Sequence, residues 1–272
     1  MADGNTSASF HIISSLRYDP ALTSLPPPYN CAYYLLRYHY DRLLSAAIDF
    51  QWTNAASLLE ERGQSSLSEL LDQKIPSRLQ PWRIRILLDR KGEITLEFSP
   101  LAPSPSNILL LPTLNELSHP FSSSAQAHSS QPWTVRLDSQ STPPSLFTRH
   151  KTTRREAYNA SRQRAGIGSF QQPVEVLLYS PSGEVMEGSI TTPYFKRSRR
   201  QSHDEGSKTE LEDVWVTPPL TSGGNAGTTR RYALAQGLCV EEVVGIDELV
   251  NCEQIWLSNG VSGFIRAVLK IE

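Results

Sequence analysis

The stretch GEVMEGSITTPYF, residues 183–195, places a glutamate inside an otherwise apolar strand pattern. Glu187 follows Val185 and Met186 and is followed directly by Gly188. Carboxylates are rarely buried without a partner, so this glutamate either faces solvent or meets a positive group from another part of the chain. The stretch alone favours the solvent-facing alternative, and other segments have to decide between the two.

A glycine-rich segment, GGNAGTTRRYALAQG at residues 223–237, precedes a predicted helix that starts near Thr228. The first turn of a helix exposes unpaired backbone N–H groups and the positive end of the helix dipole. Glycines let a phosphate come close to that backbone, so the segment is a candidate phosphate site. Its spacing matches no P-loop, and an ordinary glycine-containing loop before a helix capped by Thr228 explains it equally well.

The stretch FTRHKTTRREAY, residues 147–158, contains Lys151 among several other basic side chains. These are Arg149, His150, Arg154 and Arg155. A partly desolvated lysine among cations has a lowered pKa, and its amine then acts as a nucleophile or a base near neutral pH. The alternative is a solvated basic surface at the start of a helix.

Taken in chain order, Lys151, Glu187 and the helix start at Thr228 are the parts needed to hold pyridoxal phosphate. In this arrangement the chain resembles the class IV aminotransferase (fold-type-IV pyridoxal phosphate) family, and within it the fungal 4-amino-4-deoxychorismate lyases. The resembling segments span most of the chain: residues 36–52, 149–160, 183–195, 214–234 and 255–268. The glutamate strand and the TPPL…GTTR block are the most specific of them.

The resemblance implies a role for each matching position. It implies that Lys151 forms the Schiff base with the cofactor and that Glu187 keeps the pyridine nitrogen protonated. It also implies that Arg42, in the match HYDRL at residues 39–43, clamps the phosphate, while His39 belongs to the scaffold of that motif. The other phosphate-side residues that it implies are Gly227, Thr228, Thr229, Asn259 and Gly260.

The same resemblance implies a lyase reaction on aminodeoxychorismate, a cyclohexadiene that carries an amine and an enolpyruvyl ether. Lys151 removes the proton from the amine-bearing carbon, the enolpyruvyl group leaves, and the ring becomes aromatic. The products are 4-aminobenzoate, a folate precursor, and pyruvate. Ser15 is a candidate general acid. Arg17 is a candidate bidentate partner for a substrate carboxylate, with a surface strand position as the equal alternative.

Two other functions stay open from the sequence. The first is a transaminase of the same fold, acting on branched-chain amino acids, D-amino acids or simple amines, with the same lysine, glutamate and phosphate residues. Branched-chain transaminases carry a tyrosine where this chain has Glu156, which weakens that alternative. The second is a cofactor-free scaffold protein that presents its basic stretches, residues 149–155 and 196–200, to a partner.

The chain also departs from the family in two further places. Thr192 stands where the strand motif usually has asparagine, so local hydrogen bonding is expected to differ. The usual N-terminal strand and its Gly-Asp-Gly turn are missing before HIISSLRY, residues 11–18. We therefore expect an abbreviated N-terminal domain.

The predicted architecture is a two-domain fold of mixed α/β and α+β character, like that of D-amino-acid aminotransferase. Residues 1–112 form a small α/β domain, residues 113–131 a linker, and residues 132–272 a larger, mostly antiparallel pyridoxal-phosphate-binding domain. Dense mixed charge at residues 196–213 predicts a long, mobile, exposed loop. The patterns of the small domain predict a strand at 33–38, helices at 41–52 and 65–75, and a hairpin at 82–101.

Composition argues against several function classes. The chain has 272 residues and a net charge of −2, whereas a general nucleic-acid binder is normally basic. It lacks an apolar run of transmembrane length, a signal-peptide-like start, and CxxC or HxxxH patterns, so neither membrane nor metal binding is expected. Its three cysteines lie far apart, which favours a reducing compartment. We expect a cytoplasmic enzyme for a small molecule and, by the resemblance, a homodimer.

Overall fold

The structure is a computed structural model that describes residues 9–24, 31–103, 131–201 and 210–271. Its strands are β1 (Ile12–Tyr18), β2 (Trp82–Leu88), β3 (Ile94–Pro100), β4 (Trp133–Leu137), β5 (Val174–Tyr179), β6 (Val185–Gly188), β7 (Thr192–Gln201), β8 (Glu210–Thr217), β9 (Val240–Glu241), β10 (Gln254–Asn259) and β11 (Gly263–Leu269). Its helices are α1 (Leu36–Asp49), α2 (Thr53–Lys74), α3 (Leu146–Arg149), α4 (Glu156–Arg164) and α5 (Thr228–Ala235). Short 3₁₀ helices cover Pro20–Ser24, Leu220–Ser222 and Ile246–Glu248.

Strands β1, β2 and β3 form an antiparallel sheet whose two faces differ in polarity. Side chains alternate between the faces of a strand. The apolar face packs against α1 and α2, so that Ile12, Leu16 and Ile84 share one buried cluster with Leu43 and Leu71 of the two helices. The opposite face carries Ser15, Arg17 and Arg83 beside the apolar Ile13 and Leu87, and the charge of Arg83 acts on Lys151 in the second half of the chain.

The second half of the chain forms a mixed eight-stranded sheet in the order β6-β5-β4-β11-β10-β7-β8-β9. Strand β4 runs parallel to both β5 and β11, and most other neighbours are antiparallel. Its buried cluster contains Val135, Leu177, Phe195, Leu257 and Leu269, one from each of five strands. The sheet therefore holds β6 and the β10–β11 turn in fixed positions within one structure, although they are far apart in sequence.

The outer edge of β1 joins the two sheets. The Ile13 N–H donates to the Lys151 carbonyl at 2.8 Å, and the Arg17 N–H donates to the Gly260 carbonyl at 3.2 Å. Further along the same edge, the Thr153 N–H donates to the His11 carbonyl at 2.9 Å. Ser15 thus lies between the lysine segment and the β10–β11 turn.

The strand predicted at residues 33–38 is wrong, because the residues from Leu36 onward bury one face of a helix. Tyr33 bridges Tyr18, but α1 begins at Leu36. The buried residues of α1 recur at helical spacing: Leu36, His39, Arg42, Leu43, Ala46 and Ala47. The helix predicted at 65–75 is the second part of α2, which begins at Thr53 and kinks at Gly63. The predicted hairpin at 82–101 is confirmed by β2 and β3.

The loop predicted at residues 196–213 is largely a strand pair. β7 and β8 are antiparallel neighbours in register from Phe195 opposite Val216 to Gln201 opposite Glu210. The dense charge that indicated a solvated loop is paired across the strands, since Lys196 forms an ion pair with Asp213 at 2.5 Å. Residues 202–209 lie outside the described residues.

The predicted linker at 113–131 lies outside the described residues, apart from residue 131. Within the described ranges, no helix has both the length and the apolar character needed to cross a bilayer.

Candidate active site

Lys151 lies on an extended segment between α3 and α4, and not at the start of a helix. The segment is held by the hydrogen bond from Ile13, and the lysine side chain is half-buried. Burial lowers the pKa of its amine well below the usual value, and the positive charges of Arg155 and Arg42 lower it further. The neutral form of the amine, which acts as nucleophile or base, is therefore more accessible than in an exposed lysine.

Glu187 is buried on β6, with 7% of its surface exposed. It accepts hydrogen bonds from the Tyr158 hydroxyl and the Asn225 backbone N–H. Burial raises the pKa of its carboxyl to about 7, while Tyr158 and the charges of Lys151 and Arg155 oppose that rise. The structure thus brings Glu187 and Lys151 into one electrostatic environment, and Glu187 does not face solvent.

The glycine-rich segment packs on the strand that carries Glu187. A Cβ at Gly224 would lie 2.3 Å from the Met186 carbonyl oxygen and 3.3 Å from the Glu187 Cβ. Gly223 has φ 106°, and a Cβ there would lie 2.7 Å from Pro144. These two glycines therefore allow close backbone packing against β6, whereas the sequence had indicated an approach by phosphate.

The substitution Gly224→Ala is expected to lower the free energy of unfolding by about 2–3 kcal/mol, because the added methyl group collides with backbone. It also displaces the Asn225 N–H from Glu187. Urea unfolding of both proteins measures the loss. Gly168→Ala is the matched control, since a Cβ at Gly168 meets no atom within 4 Å. Equal stabilities of the two variants would contradict the packing argument.

A cluster of buried polar atoms, called here the cradle, forms where α1, α5, β1 and the β10–β11 turn meet. A Cβ at Gly260 would lie 2.7 Å from His39 Cε1, 2.7 Å from Thr228 Oγ1 and 2.9 Å from the Ser15 carbonyl oxygen. His39 Nε2, Arg42 Nε and Thr228 Oγ1 are buried without a hydrogen-bond partner among the described residues. Buried polar atoms of this kind are normally satisfied, so the cradle is a candidate site for a ligand that is rich in hydrogen-bonding oxygens.

The helix α5 and Arg42 make this cradle positive. Thr228 is the first residue of α5, after the N-cap Gly227, and the first N–H groups of a helix have no partner within it. Burial, together with the nearby Arg231, lowers the pKa of Arg42 to about 10, so it stays protonated at neutral pH. The cradle therefore combines a fixed cation with a helix N-terminus, which suits a phosphate.

His39 contributes more than the scaffold role that the sequence indicated. Its Nδ1 lies 2.8 Å from Ser14 Oγ, and its Nε2 is one of the unpartnered atoms of the cradle. Burial lowers the pKa of His39 well below its usual value, and the charges of Arg42 and Lys151 add to this effect. The ring is therefore neutral. The signal in the sequence was its spacing from Arg42, which places both residues on one helical face.

Two predicted phosphate-side residues organise the cradle through their side chains. Asn259 Oδ1 accepts hydrogen bonds from the N–H groups of Val261 and Ser262, at 2.9 and 2.8 Å, and so shapes the turn that holds Gly260. Thr229 Oγ1 lies 2.7 Å from Ser258 Oγ, which ties α5 to β10.

The predicted substrate contact of Arg17 is not supported by its surroundings. Arg17 is buried and forms an ion pair with Asp19 at 2.8 Å, so its charge is already neutralised by the protein. Arg83 is its direct neighbour on β2 and is exposed. Arg83 has no hydrogen-bond or ion-pair partner within the described ranges, and its charge lowers the pKa of Lys151. Ser15 is half-buried on the same face.

Tyr158 was not predicted from the sequence, and Arg155 was expected to have only a general electrostatic role. The Arg155 guanidinium donates to the Ser189 carbonyl at 2.8 Å and stacks 5.0 Å from the centre of the Tyr158 ring. Glu156 is exposed, whereas Tyr158 is buried. Thr192, the position that departs from asparagine, lies against Gly227, where an added Cβ would be 2.8 Å from its Oγ1.

The chain matches a family model described as amino-transferase class IV over residues 28–269. It is 30% identical over 225 residues to the aminodeoxychorismate lyase of Saccharomyces cerevisiae. This alignment covers 77% of the chain and 57% of the yeast protein, so the chain spans little more than half of that relative's length.

Solved structures share the fold. One, from Mesorhizobium loti and provisionally assigned as an amino-acid aminotransferase, aligns with a TM-score of 0.61 at 24% identity, covering 96% of this chain and 99% of that one. Another is a hypothetical aminotransferase from Mycobacterium tuberculosis in its PLP-bound form. It aligns with a TM-score of 0.53 at 16% identity, covering 95% of this chain and 81% of that one. At these identities the likeness establishes the fold.

Proposed function

The chain belongs to the class IV aminotransferase family, and from this premise we propose that it is a pyridoxal-phosphate-dependent aminodeoxychorismate lyase. The reaction converts 4-amino-4-deoxychorismate to 4-aminobenzoate and pyruvate. The yeast relative supports this choice of substrate. The observation that carries the proposal is the meeting of the low-pKa amine of Lys151, the buried acid Glu187 and the unpartnered polar atoms of the cradle in one site.

The residues present fit pyridoxal phosphate. A phosphate would satisfy the unpartnered atoms of Arg42, Thr228 and His39, and Gly260 lets the β10–β11 turn pack closely against His39 and Thr228. Glu187 supplies the acid for the pyridine nitrogen, and Lys151 supplies the amine for the aldehyde. When bound, the cofactor supplies an electron sink beside the carbon that bears the substrate's amine.

Lys151 is suited to move the proton in this elimination. Its neutral amine accepts the proton from the amine-bearing ring carbon, and the neighbouring carbon–oxygen bond breaks. The enolpyruvyl group leaves with the electrons of that bond as the enolate of pyruvate, and the ring becomes aromatic. The enolate then takes up a proton at its methylene carbon and gives pyruvate. The step needs no oxidant, and aromatisation makes it strongly downhill, so the protein mainly has to position and polarise.

A paired assay separates the lyase from its alternatives. Purified protein with pyridoxal phosphate receives aminodeoxychorismate in one reaction, and an amino donor with a keto acid in another. We expect pyruvate and 4-aminobenzoate in equal amounts from the first reaction, and no amine transfer in the second. Amine transfer without pyruvate release favours a transaminase. A protein that takes up no pyridoxal phosphate favours a scaffold.

The substitution Arg83→Gln is expected to raise the KM for aminodeoxychorismate about tenfold, because a charge-assisted hydrogen bond to a carboxylate is lost. Arg83 is the exposed, unpartnered arginine on the polar face of the small sheet, among the described residues, and the substrate carries two carboxylates. The kcat should change less than KM, because Arg83 is the smallest of the named influences on the pKa of Lys151, behind burial and the charges of Arg155 and Arg42. Steady-state kinetics of pyruvate release measure both constants.

Two controls accompany this variant. Arg83→Lys keeps the charge and is expected to recover most of the affinity. Arg90→Gln removes an exposed arginine on the β2–β3 turn and should leave KM unchanged. A rise in KM of the same size in Arg90→Gln would mean that net charge, and not a contact with Arg83, attracts the substrate.

A further inference from the structure

The Tyr158 hydroxyl has one hydrogen and two acceptors. Tyr158 lies on α4 with 6% of its surface exposed. Its hydroxyl is 2.9 Å from the Thr148 carbonyl oxygen and also within hydrogen-bond distance of Glu187 Oε1. A carbonyl oxygen only accepts, whereas a carboxyl group accepts when ionised and also donates when protonated. The direction of both hydrogen bonds therefore depends on whether Glu187 carries a proton.

Each protonation state of Glu187 has its own arrangement. When Glu187 is ionised, the Tyr158 hydroxyl donates to the carboxylate, and the Thr148 carbonyl no longer accepts a hydrogen bond from it. When Glu187 is protonated, the carboxyl donates to the Tyr158 oxygen, and Tyr158 donates to the Thr148 carbonyl. Both arrangements satisfy the buried hydroxyl, so the site accepts either state without leaving this group unpaired.

We propose that Tyr158 is a positioning residue for Glu187, and that its hydroxyl redirects its single hydrogen between Glu187 and the Thr148 carbonyl as Glu187 gains or loses a proton. This inference rests on the proposed function only for the identity of the cofactor that Glu187 faces. In that setting, Tyr158 would hold Oε1 of Glu187 in place, and the carboxyl would supply the charge for the pyridine nitrogen.

The groups around Glu187 make the hydrogen bond from the Tyr158 hydroxyl important for the protonation state of this carboxyl. The groups that face the carboxyl are Lys151, Arg155 and Tyr158 from the segment between α3 and α4 and from α4 itself, Arg42 from α1, and the Asn225 N–H. Burial raises the pKa of Glu187 to about 7, and among the opposing influences the Tyr158 hydrogen bond is the largest. One hydrogen bond therefore shifts the balance between the two states at neutral pH.

The test is an infrared titration of the apoprotein. The carboxylic acid band that disappears in Glu187→Gln reports Glu187, and its pH midpoint is compared between wild type and Tyr158→Phe. Removing a hydrogen bond to the charged form is expected to raise the midpoint by about one unit or more. Tyr40→Phe is the matched control, since Tyr40 donates to the Leu59 carbonyl at 2.8 Å, away from Glu187, and should leave the midpoint unchanged. An unchanged midpoint in folded Tyr158→Phe overturns the inference.

A second measurement does not require Tyr158→Phe to fold. In the wild-type apoprotein, the tyrosine C–O stretch should change with the same midpoint as the Glu187 band, and Glu187→Gln should abolish that change. A tyrosine C–O stretch that stays constant while Glu187 titrates overturns the inference.

Pyridoxal phosphate affinity gives a third readout. Tyr158→Phe should weaken binding about tenfold in the wild-type background and have no further effect in the Glu187→Gln background, because coupled residues are non-additive. Losses that add in the double variant would indicate a merely structural role and overturn the inference. The titrations do not depend on catalysis, so a Tyr158 effect without pyruvate release overturns the lyase proposal alone. Lyase activity without a Tyr158 effect overturns this inference alone.

Discussion

Replacing Lys151 by alanine is expected to lower the turnover of aminodeoxychorismate by about a thousandfold or more, because the variant loses the covalent anchor of the cofactor and the proton acceptor together. The same change should abolish covalent labelling. After reduction with borohydride, the wild-type peptide that contains Lys151 should carry the mass of the reduced cofactor, and the variant should carry none. Pyruvate release and peptide mass spectrometry measure the two effects.

The matched control for this variant is Lys74→Ala, since Lys74 is an exposed lysine at the end of α2. It should keep wild-type turnover and labelling at Lys151. Cofactor attached to a different lysine in the wild-type protein, or full activity in Lys151→Ala, would show that the site has been assigned to the wrong amine.

Lys151, Glu187 and the helix start at Thr228 could be identified as candidates from the sequence, because the types and the order of these residues indicate their chemistry. A lysine among cations, a glutamate in an apolar strand and a glycine-rich helix start are each ambiguous, but together they matched the family, and the comparisons confirmed that family and its fold. Tyr158 was not predicted, and His39 was predicted only as scaffold, for a physical reason. Their sequence positions look like those of core residues until the structure shows that the Tyr158 hydroxyl reaches Glu187 and that His39 Nε2 lacks a partner among the described residues.

The errors in the fold have local causes. Tyrosine and leucine in YYLLRY favour a strand by propensity, but the buried face that begins at Leu36 continues through α1 and outweighs it. The charges of residues 196–213 resemble a solvated loop, yet Lys196 and Asp213 neutralise each other across two strands. Arg17 resembled a substrate clamp until the structure showed Asp19 beside it. In the first two cases the deciding contact is tertiary and therefore not visible in a local pattern. Asp19 stands only two residues from Arg17, but the sequence does not show that the pair is buried together.

The substitution Glu187→Gln is expected to lower turnover about a hundredfold, with a much smaller change in KM. A buried carboxylate opposite the pyridine nitrogen favours its protonated form, and an amide of the same shape lacks the charge that does this. Preorganised charges of this kind typically affect kcat by such factors. The visible absorption spectrum of the bound cofactor and its pH dependence should change as well. Glu156→Gln alters an exposed carboxyl close to Lys151 in the sequence. It should change neither the turnover nor the absorption spectrum.

The same substitution should also change how the stability of the apoprotein depends on pH. The pKa of Glu187 is raised from 4.5 to about 7 in the folded state, so the folded protein binds this proton more tightly than the unfolded chain. The resulting stabilisation is fully present below the unfolded value and is lost as pH rises through the folded value. Urea unfolding of the apoproteins should therefore show wild type losing about 3 kcal/mol relative to Glu187→Gln between pH values of about 4.5 and 7. Parallel stability curves would instead mean that Glu187 is already ionised in the apoprotein and that Lys151 and Arg155 outweigh its burial.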